Sequence, residues 1–200
     1  MTRGTGGAGG GGASRGMSEA RTRLLRTATE IFYAEGIRSV GVDRIVAEAR
    51  VTRATLYRHF SGKDELVLAC LAGADDGIRA RVAEVRAGAE TPVGRVRAVA
   101  GSIAEGVRAP GFRGCAFLNA ATEYPDPVHP IHRAVVAHRK WFAETVTELL
   151  AEAGCLPAGE AGRRFVLLRD GAMAAGCLGD PERVARTFLG GVEGILRAEL

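Results

Sequence analysis

The stretch DRIVAEARVTRATLYRHF, residues 43–60, decides how this chain folds. Ile45, Val46 and Ala49 recur at helical spacing and give its first half one apolar face. Arg50-Val51-Thr52 leaves room only for a turn. Thr52 is then placed to accept a hydrogen bond from a free backbone N–H at the start of a second helix, which the pattern carries to about His59. Two short helices joined by a turn of about three or four residues are the arrangement that lays a second helix in a DNA major groove.

Upstream, residues 1–16 contain eight glycines and almost nothing apolar, which predicts a disordered tail whose Arg3 and Arg15 are its only cations. Ser18 is the expected cap of a helix that ends at Gly36, with Leu24, Leu25, Ala28, Ile31 and Phe32 on one face. Ile37 and Val40 complete the small core over which this helix holds the other two. Downstream, Ser61 precedes a helix with Asp64 and Glu65 in its first turn, where the helix dipole favours acids, and its apolar face continues through Leu66, Val67, Cys70 and Leu71 to about Ala87. Gly and Pro then punctuate further helical patterns over 91–108, 115–123, 128–153, 158–178 and 180–200. No segment alternates like a strand. The expectation is an all-α protein of about nine helices, with a tail (1–16), a three-helix helix-turn-helix DNA-binding domain (17–63) and a larger regulatory and dimerisation domain (64–200).

Composition narrows the function classes. With 200 residues and 46% hydrophobic content the chain can bury a real core. It has no apolar run long enough to span a bilayer and no apolar leader, so a cytoplasmic protein is expected. The net charge of +4 is unevenly spread: residues 1–63 carry 11 Lys and Arg against 5 Asp and Glu, and the remainder carries 16 against 18. The basic part is the helix-turn-helix part, as phosphate neutralisation requires. Cysteines 70, 115, 155 and 177 form no zinc spacing and read as reduced, buried thiols, with a redox-sensing pair as the alternative.

Two motifs carry a resemblance. A-x-x-I-F-x-x-x-G (Ala28 to Gly36) and I-V-A-E-A-x-V-T-R-A-T-L-Y-R-H-F-x-x-K-D-E-L (Ile45 to Leu66) resemble the TetR family of bacterial transcriptional repressors. The segment Gly114 to Glu123 also looks like the regulatory domain of one branch. The resemblance implies a homodimer on a palindromic operator, with a small-molecule inducer bound in the C-terminal domain. The chain departs from the family pattern at Val40-Gly41, where a capping hydroxyl is usual, at Arg50, where glycine is usual in the turn, and at Ala54, another common glycine position.

Site residues follow from both lines. Arg53 is suited to a bidentate guanine contact and Thr55 to a thymine methyl or a phosphate. Thr52 and Ala54 stand beside them, Tyr57, His59 and Lys63 look like the family's phosphate clamp, and Arg44 is a further backbone contact. Packing against the first helix is the competing reading for Tyr57 and His59. Phe112, Cys115, Phe117, Asn119, Glu123, Tyr124, Trp141, Phe142, Phe165 and Met173 are candidates for an inducer cavity, with Asn119 and Glu123 one helical turn apart as its polar groups. Each is equally explained by plain core packing. Ala172, Ala175, Phe188, Gly191, Val192 and Ile195 resemble the family's dimer interface, a four-helix bundle between subunits, unless they pack within the chain.

His129, His132 and His138, near Glu123 and Asp126, do not complete a metal set, and no metal or cofactor is expected. No nucleophile elbow or phosphate-cradling glycine loop marks an enzyme, since the glycine run at 6–12 precedes no strand. The alternatives are an activator, or a helical ligand-binding or interaction protein with no role on DNA.

Overall fold

The computed structural model describes residues 10–198. Among these the chain is entirely helical: α1 (Gly10–Glu35), α2 (Val42–Glu48), α3 (Arg53–His59), α4 (Lys63–Ala87), α5 (Pro92–Arg108), α6 (Ala116–Glu123), α7 (Pro130–Glu152), α8 (Ala158–Ala175) and α9 (Pro181–Ala198). It divides into two compact units, one ending at Cys70 and one beginning at Leu71. The division lies inside α4, past the boundary read at Lys63, because the first turns of α4 belong to the first core. Leu66 and Val67 are buried there, and the Cys70 thiol donates to the Leu25 carbonyl at 3.8 Å.

In the first unit, α1 packs on both α2 and α3, which also meet each other. Leu24, Ala28, Ile31, Ile45, Leu56 and Phe60 form its interior, and Ile37 and Val40 close it as the sequence predicts. Each of the larger side chains contributes about 1.5–3 kcal/mol by burial, and Ala28 less. Gly36 ends α1 at φ 90°, a left-handed C′ position, with its N–H on the Phe32 carbonyl at 3.0 Å. The start of α1 differs from expectation: it begins at Gly10 rather than Ser18, so residues 10–16 of the expected tail are helical. A helix already nucleated extends without a second nucleation cost, and no proline interrupts 10–18. Residues 1–9, with Arg3, lie outside the described part.

In the second unit, α5 packs on α7 and α9, α7 on α6 and α8, and α8 on α9. Thr91 caps α5 by accepting from the Gly94 N–H at 3.0 Å, with Pro92 in the first turn. Phe142, Phe165 and Phe188 run through the core as a chain of tilted and edge-on rings. Gly162 lets the α8 backbone lie against Thr147 of α7, a contact that leaves no space for a Cβ. Arg97 and Glu193 join α5 to α9 by two hydrogen bonds at 2.6 and 2.9 Å, an exposed pair worth little by itself.

Candidate nucleic-acid interface and ligand cavity

Gly41 caps α2 without a side-chain bond, as expected where the usual hydroxyl is missing. Arg50 takes φ 53°, the left-handed conformation of the turn, where a Cβ is strained. The turn is closed by Val51 N–H on the Val46 carbonyl at 3.0 Å. Thr52 Oγ1 then accepts from the Thr55 N–H at 3.1 Å, and the two hydroxyls meet at 2.9 Å. This cap sets the direction of α3. Leu56 and Phe60 are buried on its inner side, so Arg53, Ala54, Tyr57 and Arg58 form a continuous exposed face. Tyr57 is 49% exposed, so about half of its side chain is open to solvent. Arg58 belongs to this face and escaped the motif-based reading, although positions 53, 54, 57 and 58 repeat at one helical turn.

The other candidates are held differently. Arg53 makes a loose pair with Asp43 at 3.3 Å and stays 60% exposed. Arg44 already faces two carboxylates, Glu35 at 2.7 Å and Glu48 at 2.7 Å, which compete with a phosphate for it. His59 is half-buried with its Nε2 enclosed and unpartnered, which withdraws that nitrogen from the exposed face. Lys63 opens α4 and lies over the Phe32 ring at 6.0 Å. Near it, Glu65 accepts from the Ser61 N–H, and that bond holds its carboxyl below the usual range.

A three-helix head with a basic exposed recognition helix, joined in one chain to a larger helical unit, is the architecture of a helix-turn-helix DNA-binding regulator. The family described as "Bacterial regulatory proteins, tetR family" matches residues 24–70. The solved structure of SCO4454, a TetR-family transcriptional regulator from Streptomyces coelicolor, has a TM-score of 0.90 at 69% identity over 91% of this chain and 96% of that one. The transcriptional regulator AcuR of Cereibacter sphaeroides is 30% identical over 92% of this chain and 78% of its own. The regulator TcmR of Streptomyces glaucescens is 34% identical over 46% of this chain, a match spanning 42% of that relative's length. The chain belongs to the TetR family and is a DNA-binding transcriptional regulator, as are these relatives, which are not enzymes.

The second unit has an opening of its own beside the expected cavity residues. An opening of about 290 Å³ lies between α4, α5, α7 and α8, with Ile78, Val82, Ile103, Phe142, Arg169 and Met173 in its walls. Of the ten expected residues only Phe142 and Met173 line it. Asn119, in α6, is exposed and donates to the Arg113 carbonyl at 3.0 Å, tying the helix to the loop before it. Glu123 is half-buried and lines none of this opening. Phe112 is half-buried, where an added Cβ at Gly176 would meet its ring at 2.9 Å. Phe117 stacks on His138 at 3.6 Å, Tyr124 is buried 4.8 Å from the His129 ring, and Phe165 fills the aromatic chain. Trp141 is half-buried under the Arg79 guanidinium at 4.0 Å. Cys115 is buried and accepts from Arg169 at 3.3 Å. Arg169 is the polar wall residue the sequence reading missed. Its signal was available: Phe165, Arg169 and Ala172 share one face of α8, and an arginine in an interior stripe needs a reason.

Each of the three histidines has a hydrogen-bond partner. His129 Nδ1 caps α7 by accepting from the Ile131 N–H at 3.2 Å, and His132 Nδ1 meets the Tyr124 carbonyl at 2.8 Å. His138, 2% exposed, donates from Nδ1 to Asp75 at 2.6 Å, leaving Nε2 buried without a partner. Burial pushes its pKa down, outweighing the pull of Asp75 upward. For Asp75, burial pushes upward, but hydrogen bonds from His138 and Arg79 prevail and hold the carboxyl low.

Of the expected dimer residues, Ala172, Phe188, Val192 and Ile195 are buried in the single chain. A shallow, mainly apolar groove runs between α8 and α9, lined by Leu168, Gly171, Ala172, Ala175, Val184, Thr187, Phe188 and Arg183 at one end and by Leu167, Gly191, Gly194, Ile195 and Arg164 at the other. No helix among the described residues is long and apolar enough to cross a membrane.

Proposed function

We propose that the chain is a cytoplasmic homodimeric repressor that binds a palindromic operator and leaves it when a small molecule occupies the cavity of the second unit. The observation that carries this reading is the exposed face of α3, where Arg53, Ala54, Tyr57 and Arg58 are free of the core that fixes the helix. In the proposed complex this face reads the major groove. Thr52, Thr55 and Lys63 contact the backbone, with Lys63 reinforced by the free N–H groups that open α4. Arg44 and His59 take lesser parts.

Two further features support the reading. The α8–α9 groove is apolar and built of small residues, which suits the matching groove of a second copy across a two-fold axis. One helix, α4, supplies Leu66 and Val67 to the DNA-reading core and Ile78 and Val82 to the cavity wall, so a ligand that shifts α4 acts on both. The division of labour is therefore a DNA-reading unit that ends within α4, at Cys70, and a ligand-binding and dimerisation unit from Leu71. The test is fluorescence anisotropy with promoter duplexes at several salt concentrations. Steep salt dependence and release by a cavity ligand are expected. Tight binding that no ligand relieves would contradict the inducer part alone.

A further inference from the structure

The cavity wall carries an unbalanced charge. Arg169 is 5% exposed, on the inner face of α8. Its guanidinium donates to Asp170 at 2.9 Å and to the Cys115 sulfur at 3.3 Å, and lies over Phe142 at 4.8 Å. A thiol sulfur and an aromatic face add no full negative charge. Asp170 is itself shared, because Arg139 binds its other oxygen at 2.6 Å. One carboxylate therefore serves two guanidinium groups, and the more deeply buried of the two lacks a counter-charge of its own.

Neighbouring acids are committed elsewhere. Asp75, beside Ala74 in the wall, is held by Arg79 at 2.7 Å and His138 at 2.6 Å. Arg81, the other wall arginine, is exposed and already faces Glu84 at 3.2 Å and Glu105 at 2.8 Å, where solvent screens the excess. Burying an uncompensated charge is expensive, and Arg169 has five N–H donors of which Asp170 and Cys115 take two. The remaining walls are mainly apolar, with Ile78, Val82, Ile103 and Met173, and the Ser102 hydroxyl among them donates to the Val99 carbonyl at 2.8 Å.

We propose that the cavity binds a small apolar molecule ending in a single carboxylate, with Arg169 as the anchor that pairs with it. The ligand supplies the missing negative charge, and its hydrocarbon part fills the apolar walls. The volume of about 290 Å³ limits it to a compact monocarboxylate. This rests on the reading of the second unit as the ligand-sensing part.

The experiment titrates the full chain with butyrate, hexanoate and phenylacetate and with their neutral amides, by calorimetry and by the shift in melting temperature. At least one acid is expected to bind, with its amide about 10- to 100-fold weaker, the worth of a charge-assisted hydrogen-bonded pair. Arg169→Gln should abolish the preference, and Arg169→Lys should keep part of it. If an amide binds as well as its acid, the carboxylate proposal is overturned while the ligand-sensing reading stands. Acid binding unchanged in a folded Arg169→Gln protein overturns Arg169 as anchor. If neither series binds, the proposal fails for compact monocarboxylates, and only an operator-release screen of uncharged compounds then decides whether the protein senses ligands. Should Arg169→Gln not fold, the acid-to-amide ratio in the unmodified protein still decides.

Discussion

Single residues carry two separable effects, one of backbone and one of charge. Arg50 holds φ 53° in the turn between α2 and α3, where glycine is unstrained. Arg50→Gly should stabilise the protein by about 0.5–1 kcal/mol, the relief of left-handed strain less the extra entropy of glycine. A shift of the urea midpoint at constant m-value measures it, and a lower midpoint would mean that the Arg50 side chain holds the turn by contacts. His138 makes stability depend on pH. Its folded pKa lies below the ordinary value of about 6.5, so below that pH the unfolded chain takes up a proton before the folded one. Stability is therefore full above about pH 6.5 and falls as the pH drops toward the folded pKa. The physical cause is that protonation would bury an N–H at Nε2 with no acceptor. Asp75, held low, adds a further loss in more acidic solution. His138→Asn keeps an N–H for Asp75 but cannot titrate, so its urea midpoint should vary less between about pH 8 and pH 5 than that of the unmodified protein. Equal slopes in the two proteins would place the acid sensitivity elsewhere.

Elements were legible where local signals and burial agree. The face of Leu24, Ala28 and Ile31, the cap at Thr52 and the stop at Gly36 each specify one helix or one boundary, and the structure places them as read. Reading is ambiguous where a pattern has two physical solutions. An apolar stripe such as Phe188, Val192 and Ile195 does not say whether its own chain or a partner covers it; all three are buried in the single chain, and Phe188 and Ile195 also border the α8–α9 groove. Aromatic spacing likewise suits a cavity lining or a packed core: Phe117 stacks on His138, while Phe142 and Met173 border the opening beside α4 and α5. Among the wall residues of that opening, Arg169 is a buried charge that apolar periodicity alone does not single out. For α3, function depends on which side chains face outward. Arg53→Ala should weaken operator binding by about 1–3 kcal/mol and relax selectivity at one base position. Lys63→Ala should weaken all sequences alike and lower the salt slope by about 1. Binding to a panel of operator variants separates them, and unchanged selectivity in Arg53→Ala would remove Arg53 from base reading.

At the scale of the whole molecule the two units have distinct charge and chemistry. A basic three-helix head precedes a slightly acidic helical body with a cavity and an apolar groove. If the α8–α9 groove joins two copies, Leu167, 71% exposed in the single chain, lies in the interface. Leu167→Glu should then give a monomer in light scattering with unchanged helical content, and operator affinity should fall by at least about tenfold through lost bivalency. A dimer that survives this change points to another interface. The α3 face and the paired subunits together make one central claim, that two recognition helices read one symmetric site. Selection of bound duplexes from a random DNA pool tests it most directly. The account predicts an enriched palindrome with two half-sites at fixed spacing, lost from the Arg53→Ala pool at the base that Arg53 reads. Enrichment of a single unsymmetric site, or of no sequence at all, would contradict it.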